Sequence, residues 1–363
     1  MIEIKFCALV RHLFPALALS LLLTACIGHA PDRDPNRLDP ALPPADTPIA
    51  DFVVSIFEDT QGRLWFGTMA KGALYSDSTG LRSYTTADGL PGNTVTGFVE
   101  DADHNLWIGT HSGLSRFDGH SFTNFTTPNS TNHNRISNLV IDSKGNFWVG
   151  TWGGVYRFDG TQLSPFPIEL PDITLPAYHG TGLWVTEIME DSRGNIWFGW
   201  DGYGACRYDG HTFTWFNNTN GLASNNVQAI CEDSQGDIWF GSRVAEHDNP
   251  NPDARTGAGG VAIYDGTSFT TFDTLNGLHD NDVYTIALDR SGRIWVGATG
   301  VGLYVFAGDT YQLYTSTNRM DRTAGFGVQG VLEDRNGQIW FGFSGGLFQL
   351  QGDQLVHVSR EHF

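Results

Sequence analysis

The stretch EDSRGNIWFG at residues 190–199 decides how this chain is read, because six variants of it occur elsewhere. They are EDTQGRLWFG at 58–67, EDADHNLWIG at 100–109, IDSKGNFWVG at 141–150, EDSQGDIWFG at 232–241, LDRSGRIWVG at 288–297 and EDRNGQIWFG at 333–342. Every copy has a tryptophan two residues before its final glycine: Trp65, Trp107, Trp148, Trp197, Trp239, Trp295 and Trp340. They lie 41 to 56 residues apart, a period that marks repeated architectures. Within a copy, an alternating apolar run such as Val185, Ile188 and Met189 reads as a first strand. Asp-x-x-Gly then makes a tight turn: the carboxylate bonds to nearby backbone N–H groups and the glycine supplies positive φ. Ile-Trp-Phe-Gly, rich in β-branched and aromatic residues, is a second strand.

A third strand follows, as at Gly113–Phe117, Gly154–Phe158 and Gly204–Tyr208. It leads into Asp-Gly at 118–119, 159–160, 209–210 and 265–266, a strong hairpin signal. Fourth strands are expected at Ser121–Phe125, Gln162–Phe166, Thr212–Phe216 and Ser268–Phe272. One such sheet cannot bury both faces, whereas several packed face to face around an axis can. The expected fold is therefore all-β: a single seven-bladed β-propeller with four antiparallel strands per blade. The repeat tryptophans fill the space between blades. No strand exchange is expected at the seam, where blade one packs on blade seven.

Residues 1–25 read as a signal peptide, with Lys5 and Arg11 ahead of the apolar run Leu13–Leu23. Leu23-Thr24-Ala25-Cys26 resembles the lipobox of bacterial lipoproteins. That resemblance implies lipidation of Cys26 and, with Ile27 next, sorting to an outer membrane. Residues 26–50 carry Pro31, Pro35, Pro40, Pro43, Pro44 and Pro48. They read as a flexible tether, which at about 3.1 Å per residue reaches roughly 70 Å. The propeller is expected over 51–363. The expected location is the cell envelope, lipid-anchored, facing the periplasm or the cell surface.

The net charge of −19 repels phosphate backbones and argues against a nucleic-acid partner. Much of this acid is the repeated Glu-Asp turn, a structural use. Cys206 and Cys231 fall on strands at different radii and read as free buried thiols.

The repeat Val-x-x-Ile-x-Glu-Asp-x-x-Gly-x-Ile-Trp-Phe-Gly, followed by Gly-Leu-x-Arg-Phe-Asp-Gly, resembles the two-component-regulator propeller repeat. GLPGN at 89–93, GLASN at 221–225 and GLHDN at 277–281 strengthen the likeness. The resemblance implies a sensor propeller of the envelope that responds to glycans. This sequence shows no second propeller and no kinase after its seventh copy, so the expected role is ligand binding without its own output domain.

In such a fold the loops between strands two and three, and those from strand four to the next blade, open on one face. The insertions Pro167–Gly182 and Arg243–Gly259 both belong to that face, and insertions concentrate in functional loops. Residues the repeat does not need gather there: Trp152, Trp200, Asp201, Tyr203, Arg243, His247, Phe343 and His111. Aromatic rings beside polar groups suit sugars, so these eight are the candidate ligand residues. The alternative is that Trp152 and Trp200 fold down as rim packing.

His111, His133, His179, His247 and His279 share this face, but no metal-spaced pair is evident and neither metal nor cofactor is expected. Asp101–Asn105 resembles the start of a calcium loop but reads more simply as a repeat turn with His104 at the glycine position. Asn93, Asn134, Asn225 and Asn281 recur as turn caps. No catalytic motif appears; His247 with Glu246 or Asp248 is the best acid–base candidate. The expected partner is a small polar ligand or glycan. The alternatives are an envelope scaffold for a signalling protein and a metal-dependent lyase or hydrolase.

Overall fold

The acidic turn explains why the repeat keeps an aspartate six residues before its tryptophan. One carboxylate oxygen of Asp191 accepts the backbone N–H groups of Arg193 and Asn195, and the other accepts the indole N–H of Trp197 at 2.8 Å. All seven copies make this indole bond, at 2.7–2.9 Å. A single side chain thus closes the turn and orients the ring. Blade two has His104 where the others have glycine, and it adopts φ 62°; its ring packs within hydrogen-bond distance of Thr60 and Glu100.

The computed structural model describes residues 48–77, 79–127, 131–173, 175, 183–243, 259–272, 278, 282–298, 303–307, 310–314 and 327–363. The signal segment, Cys26, most of the tether and His247 lie outside them. The described strands form seven sheets, each of four consecutive antiparallel strands, as expected. The first strands, Val53–Glu58, Val95–Glu100, Ile136–Ile141, Val185–Glu190, Val227–Glu232, Val283–Leu288 and Gly330–Glu333, contact one another in sequence, and the last contacts the first. They therefore ring the axis. Among the described residues no helix is long and apolar enough to cross a membrane.

Seven apolar clusters lie between adjacent blades, each holding one repeat tryptophan against the next blade. Trp197, for example, shares a core with Val227, Ile230, Ile238 and Phe240. The tryptophans are 0–6 % exposed, so they are wedges and not a binding stripe. The glycine one residue before the end of each second strand permits this closeness: a Cβ on Gly342 would stand 2.6 Å from the Val53 carbonyl oxygen across the seam. Cys206 and Cys231 are unpaired, and burial pushes both thiols up to about 12.

Among the described residues no strand is exchanged at the seam. Pro48 bridges Ser359 and Phe52 bridges Ser344, while Ile49 and Ala50 are buried with Trp340, Leu347 and Val358.

The repeated glutamate has a separate duty. Glu232 accepts both the backbone N–H and the hydroxyl of Ser192 in the preceding blade, at 2.6 and 2.7 Å. Glu100, Glu190, Glu333 and Glu58 accept the corresponding backbone N–H of their preceding blades, and Glu333 and Glu58 also pair with the guanidinium of Arg290 and Arg335. Blades three and six carry Ile141 and Leu288 at this position. At the unlatched boundary of blades five and six a cavity of about 340 Å³ opens, lined by Asp233, Asp237 and Asp265. Burial first, then these two neighbours, raise the Asp237 carboxyl. Glu232→Ala is expected to cost about 1–2 kcal/mol, because it removes two charge-assisted bonds at a partly wet site. Chemical denaturation measures this, and an unchanged midpoint would show that the latch adds nothing.

Candidate functional site

At the end of the ring away from the acidic turns, the strand ladder runs one pair further. The N–H of the residue after strand two donates to the carbonyl of the residue before strand one: His111 to Thr94, Trp152 to Arg135, Asp201 to Trp184, and Arg243 to Asn226, at 2.9–3.0 Å. Each such pair sets two variable side chains on the open face. Described residues anchor both insertions at this end, through Trp184 and Arg243, so the two long segments leave from one face; in the first, Ile168 and Leu170 pack against the Trp148–Trp200 cluster, and residues 174, 176–182 and 244–258 fall outside the described residues.

Four of these side chains, from three successive blades, meet. The Trp152 and Trp184 rings stack with centroids 4.7 Å apart and planes 29° apart. The guanidinium carbon of Arg135 lies 3.5 Å from the Trp152 ring centre. His111 meets Trp152 edge-on at 5.8 Å. All four are half-buried. Burial, and then the Arg135 charge, push the His111 imidazole down to about 4, so it is neutral at pH 7. Burial also lowers Arg135, which nevertheless stays charged. The indole N–H of Trp184 is buried and meets no acceptor among the described residues.

Further round the rim, Asp201 bridges Asn226. Arg243 lies 3.5 Å from the Asp282 carboxylate and 4.4 Å from the centre of the Tyr284 ring.

The sequence-based candidates divide accordingly. Trp152, His111, Asp201 and Arg243 occupy the open-face positions. Trp200 does not: it is only 2 % exposed and packs with Trp148, Val185, Ile188 and Cys206. It ends strand two at the place of Thr68, Thr110 and Thr151, all fully buried, and is not in register with Trp152. That one-residue difference turns its side chain inward. Tyr203 is half-buried edge-on to Trp200 at 6.4 Å, and Phe343 packs on Phe348 at 4.9 Å.

His133 is held by the hydroxyl of buried Tyr156 at 2.6 Å, and His179, His247 and His279 are not described. Among the described residues no group of three or more His, Cys, Asp or Glu is placed to hold a metal. Asn93, Asn134 and Asn225 cap turns by accepting the backbone N–H of Thr86, Thr127 and Asn218.

Arg135 and Trp184 escaped the sequence reading. Their position, just before strand one, is filled elsewhere by Phe52, Thr94, Asn226 and Asp282. Variation at one point of an otherwise regular repeat was the available signal.

Five segments, residues 48–70, 89–112, 130–153, 221–243 and 277–300, match the family described as two component regulator propeller. The chain therefore carries repeats of that family. No curated protein matches the sequence. Among solved structures the fold is similar to a streptogramin B lyase (13 % identity, TM-score 0.64, covering 84 % of this chain and 95 % of that one). It is also similar to PorZ, a surface component of the type-IX secretion system of Porphyromonas gingivalis (16 %, 0.59, 85 % and 48 %). A third similarity is to the extracellular domain of a protein assigned to a hybrid two component system of B. thetaiotaomicron (19 %, 0.48, 83 % and 51 %).

Proposed function

We propose that this protein, a seven-bladed propeller carrying two component regulator propeller repeats, is a lipid-anchored ligand-binding protein of the cell envelope. Its ligand is a saccharide held on the open face. The observation that carries this reading is the stacked Trp152–Trp184 pair on the rim, flanked by Arg135 and His111. Arg135 covers one face of Trp152 and Trp184 the other, so the C–H face of a sugar ring stacks on the outer face of Trp184 while its hydroxyls bond to the polar groups beside it. Envelope placement rests on the Leu23–Cys26 motif. The cluster supplies flat surfaces and donors but no activated nucleophile, which favours binding over catalysis.

The regulator repeats favour one further element, a separate signalling protein that reads ligand occupancy. Capture of a sensor kinase by cross-linking in intact cells tests it.

Trp152→Ala is expected to weaken binding at least tenfold, about 1.4 kcal/mol, while the melting temperature shifts by no more than a few degrees. A panel of neutral and acidic oligosaccharides, read by calorimetry, provides the test. Intact binding with a large loss of stability would return Trp152 to a packing role.

A further inference from the structure

We infer that the Arg135–Trp152–Trp184 cluster is a carboxylate-reading subsite, so that the saccharide it holds is acidic, of the uronic acid type. This rests on the saccharide reading above and narrows it.

In a chain of net charge −19, five described arginines, Arg63, Arg243, Arg290, Arg293 and Arg335, lie within 4 Å of a carboxylate, while Arg116, Arg157 and Arg207 stack on the wedge tryptophans of their own blades; Arg135 differs from both groups in standing at the open face. Among the described residues Arg135 meets no carboxylate, and its contact is the face of Trp152. Stacking occupies the flat side of the guanidinium and leaves the in-plane N–H donors directed outward. That fork matches a carboxylate in a bidentate fashion.

Among the described residues the Trp184 N–H, like that of core Trp200, is a buried donor without an acceptor, a state that costs about 1–3 kcal/mol. A ligand oxygen that displaced the side chains covering this N–H would remove that cost. Cation, orphaned donor and neutral imidazole together form a set short of acceptors, and an anion supplies them.

Asp201 pairs its backbone with Trp184 and borders the cluster. The chain's net negative charge repels free anions, though screening limits this to about 8–10 Å at ordinary salt. A bare anion gains nothing from the aromatic faces to offset that repulsion. A carboxylate carried on a sugar ring gains the stacking energy as well, and is placed by it.

Titration of indole-¹⁵N-labelled protein with sodium glucuronate and with glucose, followed by NMR, tests the inference; Trp184→Phe assigns the resonance. Glucuronate is expected to move the Trp184 indole signal and to bind at least tenfold more tightly than glucose. Added salt is expected to weaken glucuronate alone, and sodium acetate to leave the signal in place. Arg135→Gln is expected to abolish the preference while glucose still binds. Arg135→Lys, which keeps the charge without the planar fork, is expected to retain part of it and serves if the Gln variant folds poorly. Equal binding of the two sugars, or a preference that survives in Arg135→Gln, overturns the carboxylate subsite and leaves the stacking platform standing. If neither sugar moves the Trp152 or Trp184 signal, the platform falls too.

Discussion

Trp197→Ala is expected to lower the free energy of unfolding by about 3–5 kcal/mol, the range for deleting a large buried aromatic ring. Trp197 is 1 % exposed. It stacks on Phe216 at 5.4 Å and meets Phe240 edge-on at 5.5 Å, the latter across the boundary between blades four and five. Truncation opens a void between two rigid sheets that cannot collapse, because the other blades hold their separation. It also leaves Asp191, 6 % exposed, with one oxygen short of its indole donor. Trp197→Phe separates the two effects: it keeps most of the apolar area, loses the N–H, and is expected to cost about 1–3 kcal/mol. Urea denaturation of the three proteins measures both. A cost below about 1 kcal/mol for the alanine variant would show that the repeat tryptophans are not the wedges between blades.

The second large effect is on pH dependence, through Glu187. It is the third residue of its first strand, on the axial side of the ring; at the same place in blade two, Gly97, an added Cβ would meet nothing within 4 Å. Burial pushes the Glu187 carboxyl from an ordinary 4.5 up to about 8, against the opposing pull of the Ile188 backbone N–H and of the Asn138 amide, 2.6 Å away. The folded protein therefore holds this proton more tightly than the unfolded chain does. Stability is greatest below about pH 4.5 for this group and falls as pH rises toward 8, where the buried carboxyl must ionise. Because the side chain is only half-buried at the ring's axis, solvent screening reduces the loss to about 1–2 kcal/mol.

The turn aspartates act at the other end of the scale. At Asp289 burial pushes upward, but the hydrogen bonds from Ser291, Trp295 and Arg293 outweigh it and hold the carboxyl at about 2. Its contribution is present above about pH 4 and lost in acid. Maximum stability is thus expected near pH 5. Glu187→Gln is expected to flatten the decline between pH 5 and 8.5 while leaving the acid limb unchanged. Superimposable melting profiles for the wild type and Glu187→Gln across that window would exclude this assignment.

Much of this molecule is legible in its residues because the repeat is locally self-consistent. The six-residue step from Asp191 to Trp197 encodes a turn, a strand and the tilt of one ring, and Asp-Gly at 209–210 encodes the next reversal. Asn225 betrays its capping role by recurring where a loop must be held. The glutamate latch was visible as an acidic residue but not as a contact, since Glu232 and Ser192 belong to different blades. Trp200 was misplaced because a single step along a strand exchanges rim for core. The bulge opposite it, between Val185 and Glu187, is not announced by any residue type.

The number of sheets, their strand order and the face left free to vary followed from the sequence alone. Each depends on local turns and on a period that only a closed ring can bury. The composition of the rim cluster was decided by tertiary structure. His111, Arg135, Trp152 and Trp184 come from three blades, and no local rule places a guanidinium on an indole across a chain reversal. Their contact exists only once the blades have packed, because the wedge tryptophans set the distance and angle at which neighbouring strand ends meet.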